Sequence, residues 1–107
     1  MKTHDLKTDS EVFLAVWNGE KTFEIRLNDR GFETGDILFL RETEYSGSEM
    51  KLGHPLIFTE RQIRAKVSHV LRGPIYGLME KWVILSLAEI RNIYRPKSMQ
   101  KLVNNPA

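Results

Sequence analysis

The chain has 107 residues, 41% hydrophobic and 28% charged, with a formal net charge of +2 at pH 7. That length and balance suit one compact domain with its own core and exclude disorder by composition. The absence of cysteine excludes disulfide frameworks, thiolate metal sites and a cysteine nucleophile, and no apolar run approaches the roughly 18 residues that a membrane-spanning helix needs.

The polar start, Met1-Lys2-Thr3-His4-Asp5, is followed by no apolar signal segment, so a cytoplasmic protein with no membrane partner is expected. Charge is unevenly spread. Residues 1–60 carry 7 Lys/Arg against 12 Asp/Glu, and residues 61–107 carry 9 against 2. The basic half can attract a polyanion; alternatively, the two halves neutralise each other in the fold.

In chain order, residues 3–7 read as a short first strand. Asp9 or Ser10 then caps a helix over Glu11 to Asn18 that ends at Gly19, with Phe13, Val16 and Trp17 on its core face. A strand follows at 22–27. Its apolar members, Phe23, Ile25 and Leu27, alternate with Thr22, Glu24, Arg26 and Asn28, so the two sets point to opposite faces. The apolar set is expected to enter the core. The polar set then forms an outer row, about 7 Å between successive members. Such a row is either an ordinary solvated strand face or a rigid platform for a site.

Asn28 to Asp36, with two glycines and several Asx residues, is a turn-rich loop. Ile37-Leu38-Phe39-Leu40 reads as a buried strand ending at Arg41-Glu42, and residues 43–60 as irregular. Over 61–71 the chain alternates again, with Ile63, Ala65, Val67, His69 and Leu71 on the apolar face and Arg64 and Lys66 on the other. There His69 is expected to be a hydrogen-bonded core residue. Arg72 to Gly77 breaks that strand. Trp82 to about Ile90 forms the last strand, and the polar segment from Pro96 to Ala107 is expected to fray, with room for a short helix. One early helix followed mainly by short strands suggests an α+β domain, a small mixed barrel with a helix over one end.

Motif searches are nearly empty. There is no Gly-rich phosphate loop, no helix with histidines at metal spacing and no Gly-x-Ser-x-Gly elbow, so neither metal nor cofactor is expected. The informative segment is Gly19-Glu20-Lys21-Thr22-Phe23-Glu24-Ile25-Arg26. It resembles the signature of the ASCH domains, G-x-K-x-x-E-x-R, at all four fixed positions: Gly19, Lys21, Glu24 and Arg26. Asn28-Asp29-Arg30, Gly35-Asp36 and Leu40-Arg41-Glu42 look more narrowly like a small ASCH-like branch of phages and bacteria of unknown function. His4-Asp5-Leu6-Lys7 and Tyr76-Gly77-Leu78 extend the likeness across residues 4–88.

The resemblance implies a PUA-like mixed β-barrel with an N-terminal accessory helix over residues 1–95, leaving 96–107 as a tail. It also implies a cleft between helix and barrel that binds RNA or a nucleotide-like ligand. Within it, the Arg26 guanidinium suits a phosphate or base edge, Lys21 offers a compact charge, and Glu24 accepts from a base amino group or from Lys21. Asp29 and Arg30 shape the rim, and Tyr76 either stacks on a base or caps the barrel. Arg64, Lys66 and Arg72 form the expected nucleic-acid surface.

A second reading is a small hydrolase. Some ASCH relatives are amidohydrolases acting on an acetylated cytidine through a Lys, a Thr and a Glu. Lys21 matches the Lys, Glu24 falls where the nucleophilic Thr is expected, and Thr22 lies nearby. A carboxylate replaces a base-activated hydroxyl poorly, which weakens this reading. Acid–base cleavage of RNA by Lys21 and Glu24 is a variant of it. A third reading is a protein-interaction module that uses the basic half.

Overall fold

The computed structural model describes residues 1–96. It is an α+β fold: β1 (Thr3–Asp9), α1 (Ser10–Trp17), β2 (Phe23–Leu27), β3 (Ile37–Thr43), α2 (Gly47–Lys51), β4 (Phe58–Arg72) and β5 (Trp82–Tyr94). The strands form one mixed sheet in the order β1-β3-β4-β5-β2, with β1 parallel to β3 and every other pair antiparallel. The sheet curls into a half-barrel. Its two edge strands, β1 and β2, face each other without pairing.

The concave face holds the core. Leu6 of β1, Leu38 and Leu40 of β3, Ile63, Ala65 and Val67 of β4, and Val83 and Leu85 of β5 are all buried. The helix closes this core with Phe13 and Val16, as its apolar spacing predicts, and Trp17 stacks on Phe13 at 5.7 Å between centroids. Burial of this set is the main favourable term, on the order of 1.5–3 kcal/mol for each large side chain.

Two expectations change inside the sheet. A β-bulge between Val67 and His69 shifts the alternation of β4 by one residue. After it Val70 points inward and His69 is exposed, so His69 is not a core histidine. The segment 43–60 is not wholly irregular. Ser46 caps α2 by accepting from the Glu49 N–H, and the Glu49 carboxylate accepts from the Ser46 N–H. This capping box was legible as Ser46-Gly47-Ser48-Glu49. The expected tail, apart from Pro96, lies outside the described residues.

Candidate binding cleft

The site forms where the sheet fails to close. Helix α1 ends at Asn18, and Gly19, at φ +78°, turns the chain back. The N–H groups of Glu20 and Lys21 then both donate to the Ala15 carbonyl, which fixes the start of β2 against the helix. Along β2 the alternation holds, but the faces are the reverse of those expected. Glu24 is 3% exposed, whereas Phe23, Ile25 and Leu27 are 39%, 49% and 46% exposed.

The reason is the seam. The inner face of β2 has no strand beside it to supply apolar packing, so polar side chains span the gap and make hydrogen bonds that a backbone ladder would otherwise make. The outward apolar row lies in register with Ser86, Ile84 and Trp82 of β5 and packs laterally against them.

Lys21 Nζ lies 3.1 Å from Glu24 Oε1, and Arg26 Nε donates to Glu24 Oε2 at 3.3 Å. The carboxylate is therefore buried between two cations, which offsets its desolvation. Arg26 Nη2 reaches across to β1, donating to the Lys7 carbonyl and to Thr8 Oγ1, each at 3.0 Å. Thr8 Oγ1 in turn donates to the Leu6 carbonyl. Further along, Arg30 Nη1 donates to the Asp5 carbonyl at 3.0 Å. Two arginines thus strap the open edges together. Around them lies a cleft of about 460 Å³, lined by Glu24, Arg26, Asp29, Arg30 and the β1 residues Lys7, Thr8 and Asp9.

Lys21, Glu24 and Arg26 form one cluster, of which Glu24 and Arg26 line the cleft and Lys21 does not, and Asp29 and Arg30 line the rim, where their own ion pair is long (3.9 Å) and solvent-exposed. The other expected positions fall elsewhere. Thr22 is exposed, and its carbonyl accepts from Leu87 N–H. Tyr76 is 95% exposed in the β4–β5 connection and does not line the cleft, so it is neither a stacking residue there nor a barrel cap. Arg64 and Lys66 lie on the outer face of β4. Arg72 follows Val70 on the inward register and donates to the Phe32 carbonyl at 3.3 Å. These three basic residues therefore do not form one surface.

Sequence reading missed two buried polar clusters. Glu42 is 1% exposed and accepts from Ser10 (2.7 Å), Thr59 (2.8 Å) and, in a two-pronged contact, Arg61 (2.9 Å twice). Burial opposes its ionisation, but the hydrogen bonds from Ser10, Arg61 and Thr59 hold its carboxyl below the usual range. Asp36 accepts from His4 Nε2 (2.9 Å) and from the Lys2 and Glu33 N–H groups. Burial again opposes the charge, and these bonds outweigh it, bringing the Asp36 pKa down to about 2. Both clusters tie remote segments together. Among the described residues no three His, Asp or Glu side chains converge to hold a metal ion, and no helix is long and apolar enough to cross a membrane.

Fold and cleft together define a small α+β half-barrel with a charged polar cluster at its open seam. The chain belongs to the family described as a domain of unknown function, DUF3850, which matches residues 3–87. That stretch contains α1, both edge strands and every residue of the cleft. The chain is also 32% identical over 84 residues to an uncharacterized 12.9 kDa protein in the GpA 3′ region of Escherichia phage P2. The match covers 78% of this chain and 66% of the phage protein, so the chain spans just under two thirds of that relative.

Proposed function

We propose that the seam cleft binds RNA or a nucleotide-like ligand, and that the domain is a PUA-like module of the ASCH type. The observation that carries this reading is the clamped carboxylate: Glu24, buried, with Lys21 on one oxygen and Arg26 on the other. A charged cluster preorganised at the mouth of a cleft offers fixed donors and an acceptor without reorganisation on binding. The four ASCH-like signature residues supply its turn and its three charged members, which supports the ligand class.

In this reading Glu24 positions the two cations. Both of its oxygens are engaged, and Thr22, the nearest hydroxyl in sequence, stands outside the cleft lining. The binder reading is therefore preferred to the hydrolase.

The test is calorimetric titration with cytidine, N4-acetylcytidine, their 5′-phosphates and short single-stranded RNA, with mass spectrometry of each mixture. Binding without turnover is expected. Lys21→Ala should weaken binding by the equivalent of one charge-assisted contact, roughly tenfold to a hundredfold. Absence of binding at millimolar ligand would contradict the proposal, and turnover lost in Lys21→Ala would replace it with the hydrolase.

A further inference from the structure

The convex face of the sheet carries a second charged feature, on residues other than those of the cleft. Register places Phe39, Arg64 and Arg91 in one cross-strand row over β3, β4 and β5. Their neighbours Leu38, Leu40, Ile63 and Ala65 fill the core, so this row faces outward. The adjacent row is Arg41, Gln62 and Ile93, and it runs out to Lys7 at the cleft. Arg64 and Arg91 therefore stand directly opposite each other, with Arg41 on the diagonal.

Like charges in directly opposed positions are destabilising. Among the described residues, Arg41, Arg64 and Arg91 have no carboxylate within 4 Å and no side-chain hydrogen bond. The acidic groups on this face lie to the side: Asp5 beside Phe39, Glu89 near Lys66 at 3.9 Å, and Glu60 bonded to Tyr94. The Arg41 guanidinium stacks over the Phe58 ring at 3.8 Å, which holds its plane in place and leaves its N–H edges free.

We propose that this face, centred on Arg41, Arg64 and Arg91, binds the phosphate backbone of a single-stranded nucleic acid. Three guanidinium groups, unpaired among the described residues, on three adjacent strands complement a flexible polyanion, and Phe39 beside Arg64 offers a ring for a base. The opposed arginines cost the free fold stability, and a bound polyanion removes that cost.

The test is fluorescence anisotropy with a labelled 12-nucleotide poly-U strand, and with oligo-dT as the DNA arm. If three phosphates are neutralised, the log–log salt slope is about −2, so affinity falls roughly twentyfold between 50 and 200 mM salt. An Arg64→Gln/Arg91→Gln variant should leave a slope of about −0.7, a loss of roughly threefold over that range. Its Tm should be equal to or above that of the parent, because the opposed charges are gone. Arg41→Gln, tested alone, should reduce the slope by about 0.7.

RNA and DNA strands should bind alike, since the backbone carries the contact. Three results overturn the inference. One is an unchanged slope in the double variant. Another is strand binding lost in Lys21→Ala but kept in the double variant, which would put the strand in the cleft and leave the proposed function standing. The last is sedimentation with phosphatidylserine vesicles through these arginines without strand binding.

Discussion

Replacing Arg26 by alanine should be among the most damaging single changes outside the apolar core. The side chain makes three contacts, to Glu24 at 3.3 Å and to the Lys7 carbonyl and Thr8 Oγ1 at 3.0 Å. Hydrogen bonds to charged groups contribute about 1.5–3 kcal/mol each. Arg26 is 22% exposed and the Glu24 contact is long, so the three contacts should together contribute less than the low end of that sum, about 3 kcal/mol. Truncation also leaves Glu24 buried with Lys21 as its sole cation. A loss of about 3 kcal/mol is expected, or a Tm lower by roughly 12–24 °C for a domain of this size. Arg26→Lys should lose about half as much, on the order of 1.5 kcal/mol, because one ammonium cannot serve both Glu24 and β1. Urea unfolding followed by tryptophan fluorescence gives the free energies, and a cycle with Glu24→Gln gives the coupling. A loss in Arg26→Ala below about 1 kcal/mol, or strict additivity with Glu24→Gln, would refute the picture of a strapped seam.

Three further outcomes follow from the buried groups. Asp36 has a native pKa of about 2 against an ordinary 3.8, so its contribution is complete above about pH 5 and is lost as pH falls towards 2. Unfolding free energy should drop by about 2 kcal/mol over that range through this group, with Glu42 adding in the same direction, and Asp36→Asn should flatten the curve. Arg61→Ala should cost about 3 kcal/mol by leaving the buried Glu42 without its cation, and Glu42→Gln/Arg61→Ala should recover part of that by equilibrium denaturation. Finally, Ile25→Thr should change stability by less than about 1 kcal/mol, whereas Ile63→Ala should cost about 2–5 kcal/mol. Equal losses would restore the opposite facing of β2.

Much of the fold is legible in the chain because periodicity and capping are local. The helix over 10–17, its core face of Phe13 and Val16, and the strands at 3–9, 23–27, 37–43 and 82–94 lie close to where pattern places them. What is not local was not legible. Alternation in β2 separates Glu24 and Arg26 from Phe23 and Ile25, but it carries no sign. Which set turns inward depends on β2 being an edge strand at an unpaired seam, a property of the whole sheet. The bulge that exposes His69 likewise arises from pairing with β5. Glu42 and Thr8 did leave a trace. Each continues the buried register of its strand, Glu42 after Leu38 and Leu40, and Thr8 after His4 and Leu6. A polar residue in phase with a core stripe signals a buried network, and its partners can lie far along the chain. The cleft was half legible. Glu24 and Arg26 alternate along β2 and Asp29 and Arg30 follow it in the chain, whereas its β1 wall is supplied by Lys7 and Thr8 across the gap.

The most direct test of the cleft as a binding site is a two-dimensional ¹⁵N–¹H NMR titration that includes the Arg26 Nε–H resonance, using cytidine nucleosides, their phosphates and short RNA. At least one nucleotide-like ligand should shift Arg26 Nε–H together with the backbone amides of residues 5–9 and 24–30. Saturating nucleotide-like ligand that leaves these resonances in place, or moves only residues remote from the seam, would contradict it.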